Sequence, residues 1–481
     1  KMYNFDGSFD YNLLGLDSKY ILILKDGQPV TGKFADKIDL DQIVLANVDK
    51  IEIIKGPGSA LYGTEAMGGV INIISKKVNS AYNTEVRLKN ENFDGVARNW
   101  LDNPNAQNLS YNISIPVKTY RIDFTSAYQL LNDGENFTIA GKDNARKINL
   151  DFGLSWSSND KKHFVKTGYN YFARVDTSDT YTSTGFLVKS NSTDIIRKEI
   201  TASHDYNFRE NMTVTQRLNI NNYERTYRQT GIDDSFLRFA NTKENLSDYE
   251  LKVSLESEKI SLISGFELSE PSFKNDRAQG ETYNRKTRSV FIQNNYKYSD
   301  SQKIITGIRY DRYGSELVYS PRVAYLFEYS ENTRFRFSTG TGFRIPSFLE
   351  LHIDFYNVDN GYVVKGNRFL KPEKSVGSTV NVEYITEKVR MNALAYQNRF
   401  RDKIFSTYKD TSSAIVFYEY KNIAKSKFQG LELFLDYLAS SFTSFKLNVN
   451  LRSAVDGEGD PIDNVIPYSV GTRFTRNLPG I

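Results

Sequence analysis

The sequence predicts a mainly-β protein: an antiparallel β-barrel that spans a membrane, led by a small α/β unit. Three observations carry this. From about Tyr82 onward, apolar and polar residues alternate with period two in run after run, as in strands with one apolar and one wet face. Short polar turns and longer polar segments take turns between these runs, which matches the two unequal rims of an outer-membrane type of barrel. Residues 1–80 obey a different grammar, with short apolar runs separated by glycine-rich turns.

In the leading unit, Ile21, Leu22, Ile23 and Leu24 make an apolar run suited to a buried strand. Asp26-Gly27 directly after it is a hairpin signal. Asp39 to Val48 predicts a short helix and connector, with Leu40, Ile43 and Val44 at helical spacing. Ile51 to Ile54 and Val70 to Ile74 are two more strands, rich in β-branched residues. Between them Gly56, Pro57, Gly58, Gly63, Gly68 and Gly69 mark a backbone that turns tightly or is closely approached.

In the remainder, Phe445, Leu447, Val449 and Leu451 share one face while Lys446, Asn448, Asn450 and Arg452 share the other. Leu431, Leu433, Leu435 and Tyr437 oppose Glu432 and Asp436, and Leu251, Val253 and Leu255 oppose Lys252, Ser254 and Glu256. Val290, Ile292, Tyr296 and Tyr298 form a similar face, with Phe291 intruding on the polar side. Ser157 to Asp160, Tyr298 to Asp300 and Ser330 to Asn332 are short turns, whereas Asp176 to Asp194 and Thr226 to Asn245 predict long polar loops. About 16 to 19 strands fit this reading.

Composition narrows the class. Tyr and Phe number 32 and 31 against 2 Trp, and many lie near strand ends, where a membrane barrel carries aromatic girdles. Mean hydropathy is −0.51, and no run approaches the roughly 20 apolar residues of a membrane helix. A barrel escapes that test, because its lumen-facing residues are polar. A propeller would show a repeat of about 40 to 50 residues, and none is present. Lys and Arg total 62 against 58 acids, a balance that argues against nucleic-acid binding. Cysteine is absent, which excludes disulfides, thiolate nucleophiles and cysteine metal sites.

No catalytic or metal motif emerges. Gly58 and Gly63 have the spacing of a phosphate loop, but Thr64 and Glu65 follow where Lys and Ser or Thr are required. The three histidines, His163, His204 and His352, are far apart in sequence and none sits in a His-Glu-x-x-His pattern. There is no nucleophile elbow. The chain reads as a non-enzyme without a resident cofactor or metal.

The motifs carry a resemblance across most of the chain. Leu24 to Val30, then Val48 to Ile54 with Lys55-Gly56-Pro57, Ala60-Leu61-Tyr62-Gly63 and Gly68-Gly69-Val70-Ile71-Asn72-Ile73, resemble the plug of TonB-dependent receptors. Lys55 stands where the family usually carries Arg. Gly342 to Ser347 with Glu350-Leu351, and Gly366-Asn367-Arg368-Phe369-Leu370-Lys371-Pro372-Glu373, resemble two of its barrel segments. Tyr420 to Asn422 and Gly430 to Glu432 match a later strand pair.

The resemblance implies a 22-stranded antiparallel barrel of the outer membrane, filled by residues 1–80 as plug, with 81–481 as the barrel, incomplete at both ends. It implies an importer of an iron chelate, most simply a ferric siderophore, drawing energy from the inner-membrane TonB complex, with outer-membrane lipid around a monomer. Haem or cobalamin import is the alternative within the family, and a passive porin or adhesin-like barrel the alternative outside it. Asp26, Gly27, Glu52, Lys55, Gly56, Pro57, Tyr62, Gly63 and Gly69 are the plug-motif residues, and Asp26, Glu52 and Lys55 are expected to bond to the barrel wall. Arg344, Pro346, Glu350, Asn367, Leu370, Pro372 and Glu373 are the barrel-motif residues. His352, Tyr227 and Arg228 are candidate ligand contacts, His352 because haem importers carry an axial histidine in this interval.

Overall fold

A computed structural model describes the chain except residues 1, 4–8, 35–36, 39, 44–47, 76–81, 92–105, 133–142, 182–186, 232–235, 358–360, 409–414, 463–464 and 478–481. The leading unit is a four-stranded sheet in the order Gln28–Pro29, Ile21–Lys25, Gly69–Ser75, Val48–Lys55. Ile21–Lys25 runs parallel to Gly69–Ser75 and is buried on both faces, which is why its sequence is continuously apolar. Ile21, Ile23 and Ile73 pack on one side of the sheet, and Leu22, Leu24, Ala66 and Val70 on the other. Asp26 and Gly27 both adopt positive φ, 51° and 80°, as a two-residue hairpin turn demands.

The predicted helix between Asp39 and Val48 is reduced, among the described residues, to a 3-10 turn, Leu40–Gln42; Val44 lies outside them. Leu40 and Ile43 still pack onto the isoleucine face of the sheet.

Eighteen strands build the wall among the described residues, from Asn83–Glu91 to Tyr468–Arg476. Neighbours among these eighteen pair antiparallel, and the sheet curls into a barrel; three short strands, Thr282–Asn284, Asp354–Asn357 and Tyr362–Lys365, extend it at the long-loop rim, the last pairing parallel with Val416–Ser440. The plug sits within the curl. Its side chains and backbone bond in turn to Asp151, Arg197, Asn219, Glu244, Arg309, Ile345 and Glu432, which lie on successive parts of the wall.

Alternation decides which side chains meet the plug. In Val389–Tyr408, Tyr396, Asn398 and Phe400 are buried, while Ala395, Arg399 and Arg401 face out. The intruding Phe291 is a lumen residue, buried beneath the Arg309 guanidinium at 5.5 Å. Outside, aromatics gather near the short-turn rim. His163 stacks on Tyr206 at 4.7 Å, Tyr206 meets Phe208, and Phe327, Tyr329 and Phe335 form a second group.

Two predicted loops prove to be largely strand. His163–Tyr181 pairs with Leu187–Arg209 through Asp176 and Asp194, and Met212–Gly231 pairs with Phe236–Glu256 through Thr226 and Asn241. These strands rise past the apolar band. Both faces of such an extension are wet, so the alternation disappears while the backbone ladder continues.

Candidate functional site

Arg344 ends the strand Thr333–Arg344, and the chain then turns through the buried Ile345 and Pro346 into the helix Phe348–His352. Ser347 caps that helix: its hydroxyl accepts from Glu350 N at 3.1 Å while the Glu350 carboxylate accepts from Ser347 N at 2.8 Å. This reciprocal cap fixes Glu350 so that both its oxygens receive the Arg344 guanidinium, at 3.0 and 2.6 Å. Arg344 Nε donates to Glu373. Glu373 also accepts from Ile404 N at 2.6 Å and from the plug's Tyr20 hydroxyl at 3.0 Å. Burial, and then the neighbouring Glu373 charge, push the Tyr20 phenol well above its ordinary range, so it stays a donor. The cluster is fully buried and closed on itself, and it holds the plug to the wall.

Asn367 and Pro372 complete this corner. Asn367 donates to Tyr420 O at 3.0 Å and accepts from Phe369 N at 2.9 Å, its own N–H bonds to Glu350 O, and Leu370 N reaches Asn367 O at 3.4 Å. Pro372 is buried beside Glu373.

The plug-motif residues divide. Lys55 crosses to Glu432 on the wall. Asp26 instead accepts from Ser75 N and Oγ within the plug, each at 2.8 Å, and the exposed Glu52 pairs with Lys50 on its own strand. Gly27 N bonds to Asn72. Gly56 lies against Thr379, and Pro57 against Gly377. Gly69 is so close to Ile54 O that a Cβ would sit 2.2 Å from it. Tyr62 closes the short helix Ser59–Tyr62, and Gly63 after it turns at φ 78° under Arg309. Arg309, which the sequence reading passed over, donates to Leu61 O at 3.2 Å, Asp311 at 2.8 Å and Glu267 at 3.0 Å. Beside it a cavity of about 220 Å³ separates the plug from the wall, lined among others by Lys33, Glu65, Asp248, Glu267 and Arg285.

At the long-loop rim basic and aromatic side chains cluster. Arg225 and Tyr227 alternate onto the lumen face of Met212–Gly231. Arg238 donates to Asn357 at 2.9 Å, and Arg277 lies 4.5 Å above the Phe355 ring. Burial, and then the adjacent Arg225, make protonation of Arg277 harder, with Arg238, Tyr227 and Tyr362 also near. Three guanidiniums and two phenols thus converge from separate parts of the chain. Such a cluster suits a multiply charged, aromatic anion. Arg228 faces outward instead and pairs with Asp194 at 2.8 Å. The signal for Arg225 was the period-two run Tyr223, Arg225, Tyr227. Nothing local marks Arg238 or Arg277.

His352 is half-buried and stacks on Tyr283 at 3.7 Å. Burial, then Arg368 and Arg285, hold its pKa below the ordinary value. His163 and His204, distant in sequence, meet across neighbouring strands at 3.1 Å on the outer face. Among the described residues no cluster of three or more His, Asp or Glu could hold a metal ion.

Two family models match: the TonB dependent receptor-like beta-barrel over residues 81–479 and the TonB-dependent receptor plug domain over residues 3–70. The probable TonB-dependent siderophore receptor PirA of Acinetobacter baumannii is 20% identical, covering 97% of this chain and 72% of its own length. The ferric enterobactin receptor of Pseudomonas aeruginosa is 22% identical with the same coverage. One of its solved structures superposes with a TM-score of 0.79 over 96% of this chain and 76% of that one, at 17% identity. The vitamin B12 transporter BtuB of Photobacterium profundum is 24% identical over 87% of this chain and 65% of its own length. The plug within its barrel and the two model matches lead to one conclusion: this chain belongs to the TonB-dependent receptors of the outer membrane.

Proposed function

We propose that the chain is the receptor for an anionic iron chelate, a ferric siderophore, which it imports with energy from TonB. The observation that carries this is the cluster of Arg225, Arg238 and Arg277 with Tyr227 and Tyr362 at the long-loop rim, where Arg225 lies 5.9 Å from the Tyr227 ring and Arg277 lies 4.5 Å from the Phe355 ring. A ferric tris-catecholate offers both the negative charge and the aromatic faces that such a cluster accepts. Tyr227 belongs to this contact set. His352 borders it, and Arg228 contributes from the outer face only to rim stability. Transport follows from binding and plug displacement, with no covalent bond made or broken. Two relatives carry siderophore names, which supports the reading. One carries a vitamin B12 name, but three converging guanidiniums favour an anion over cobalamin.

The test is a titration of the full-length protein in detergent with a ferric tris-catecholate, a ferric hydroxamate, haem and cyanocobalamin. The catecholate should bind most tightly. Replacing Arg225, Arg238 and Arg277 together by Gln should weaken it at least tenfold, since hydrogen bonds to charged groups contribute about 1.5 to 3 kcal/mol each. Preferential binding of cyanocobalamin, untouched by these substitutions, would reject the proposal.

A further inference from the structure

Five cations crowd the outer face of three neighbouring wall strands near the extracellular rim. Lys374, Arg401 and Lys425 form one row across Glu373–Ile385, Val389–Tyr408 and Val416–Ser440. Arg399 and Lys427 share the next row towards the membrane with Val376. Their sequence neighbours Glu373, Ser375, Asn398, Phe400, Ser426 and Phe428 are buried on the lumen side, so these five side chains point outward. Among the described residues, none of the five has an ion pair or a side-chain hydrogen bond.

Like charges directly opposed on neighbouring strands repel. Several outward cations elsewhere on this rim are paired, Arg228 with Asp194, Lys243 with Glu224, and Lys286 with Glu270, although, among the described residues, Lys274 opposite Lys243 is not. Arg288 opposite Arg312 is a smaller unmatched pair. Below the five lie a Ser378, Gln397 and Gln429 row and then apolar rows of Val380, Ala395 and Leu431 and of Val382, Ala393 and Leu433. An anion placed here would relieve the repulsion, and a hydrocarbon chain attached to it would meet the apolar rows.

We propose that this patch docks the phosphorylated headgroup of an outer-leaflet lipid, with the acyl chains lying on the apolar rows beneath. Phosphate oxygens accept from Arg and Lys together, and the Arg forks can bind two oxygens at once. A soluble acidic partner would use the charges and leave the adjoining apolar rows without a role. The inference does not depend on which chelate the receptor imports.

Native mass spectrometry of the full-length protein in detergent tests it, with diphosphoryl lipid A, dephosphorylated lipid A and inorganic phosphate as probes. The diphosphoryl lipid should be retained, and the dephosphorylated lipid should not. The triple variant Arg399→Gln, Arg401→Gln, Lys425→Gln should weaken retention on the order of a hundredfold, at a few-fold per cation, while Arg228→Gln with Lys243→Gln should leave it unchanged. Arg401→Gln alone should give a smaller loss in the same direction. Unchanged retention in the triple variant, an equal loss in the control, or displacement of the lipid by equimolar inorganic phosphate would overturn the proposal.

Discussion

Arg344 sits between two buried carboxylates, and its removal would leave both without their cation. Arg344→Met should therefore lower stability by about 3–5 kcal/mol, because stranding a buried charge costs more than losing the pair contributes. Tyr20→Phe removes one neutral donor and should cost about 1 kcal/mol. Unfolding of the detergent-solubilised protein measures both, and equal effects would show that the cluster is not coupled as described. His352 gives a pH dependence. Its folded-state pKa lies below the unfolded one, so its contribution is complete above about pH 6.5 and is lost as pH falls towards the folded value. Amide exchange across Phe348–His352 should accelerate on acidification, and His352→Gln should remove that change; an identical pH profile in the variant would contradict it. Arg344, Glu350 and Glu373 were legible because they stand in local motifs. Tyr20 was not, because 353 residues separate it from Glu373 and no local pattern records such a contact.

At the level of elements, backbone geometry was more legible than backbone extent. The glycines around the Ser59–Tyr62 helix were visible in the sequence, and Gly69 shows why one is needed: no side chain fits beside Ile54 O. Gly69→Ala should destabilise the plug by more than about 1 kcal/mol, since the added Cβ would meet Ile54 O at a φ that alanine rarely adopts, read as earlier proteolysis of the plug in the intact receptor; wild-type resistance would contradict the packing. The strands above the membrane were missed because alternation records a change of phase, and there the phase is water on both sides. Asp176–Tyr181 and Thr226–Gly231 should accordingly exchange amide protons as slowly as strands, not as fast as loops. Asp26 and Glu52 were misassigned to the wall for a related reason: charge and motif reveal that a residue is paired, but not with which partner.

For the whole molecule, period two marked the wall, and the different grammar ahead of it marked the leading unit, whose described sheet ends at Ser75. Ladder order and plug contacts then put one inside the other. The cluster proposed to receive the chelate was scarcely legible, since Arg225, Arg238 and Arg277 come together only once three segments have folded. A plugged barrel with a basic cluster at the long-loop rim implies transport that must be driven, because the Arg344–Glu373 cluster and the Lys55–Glu432 pair hold the plug in place. The most direct measurement is accumulation of 55Fe supplied as a ferric tris-catecholate by cells expressing the full-length receptor, with and without functional TonB. The account predicts accumulation that requires TonB and falls sharply when these three arginines become Gln. Accumulation at the same rate without TonB, or none at all for any anionic iron chelate, would contradict it.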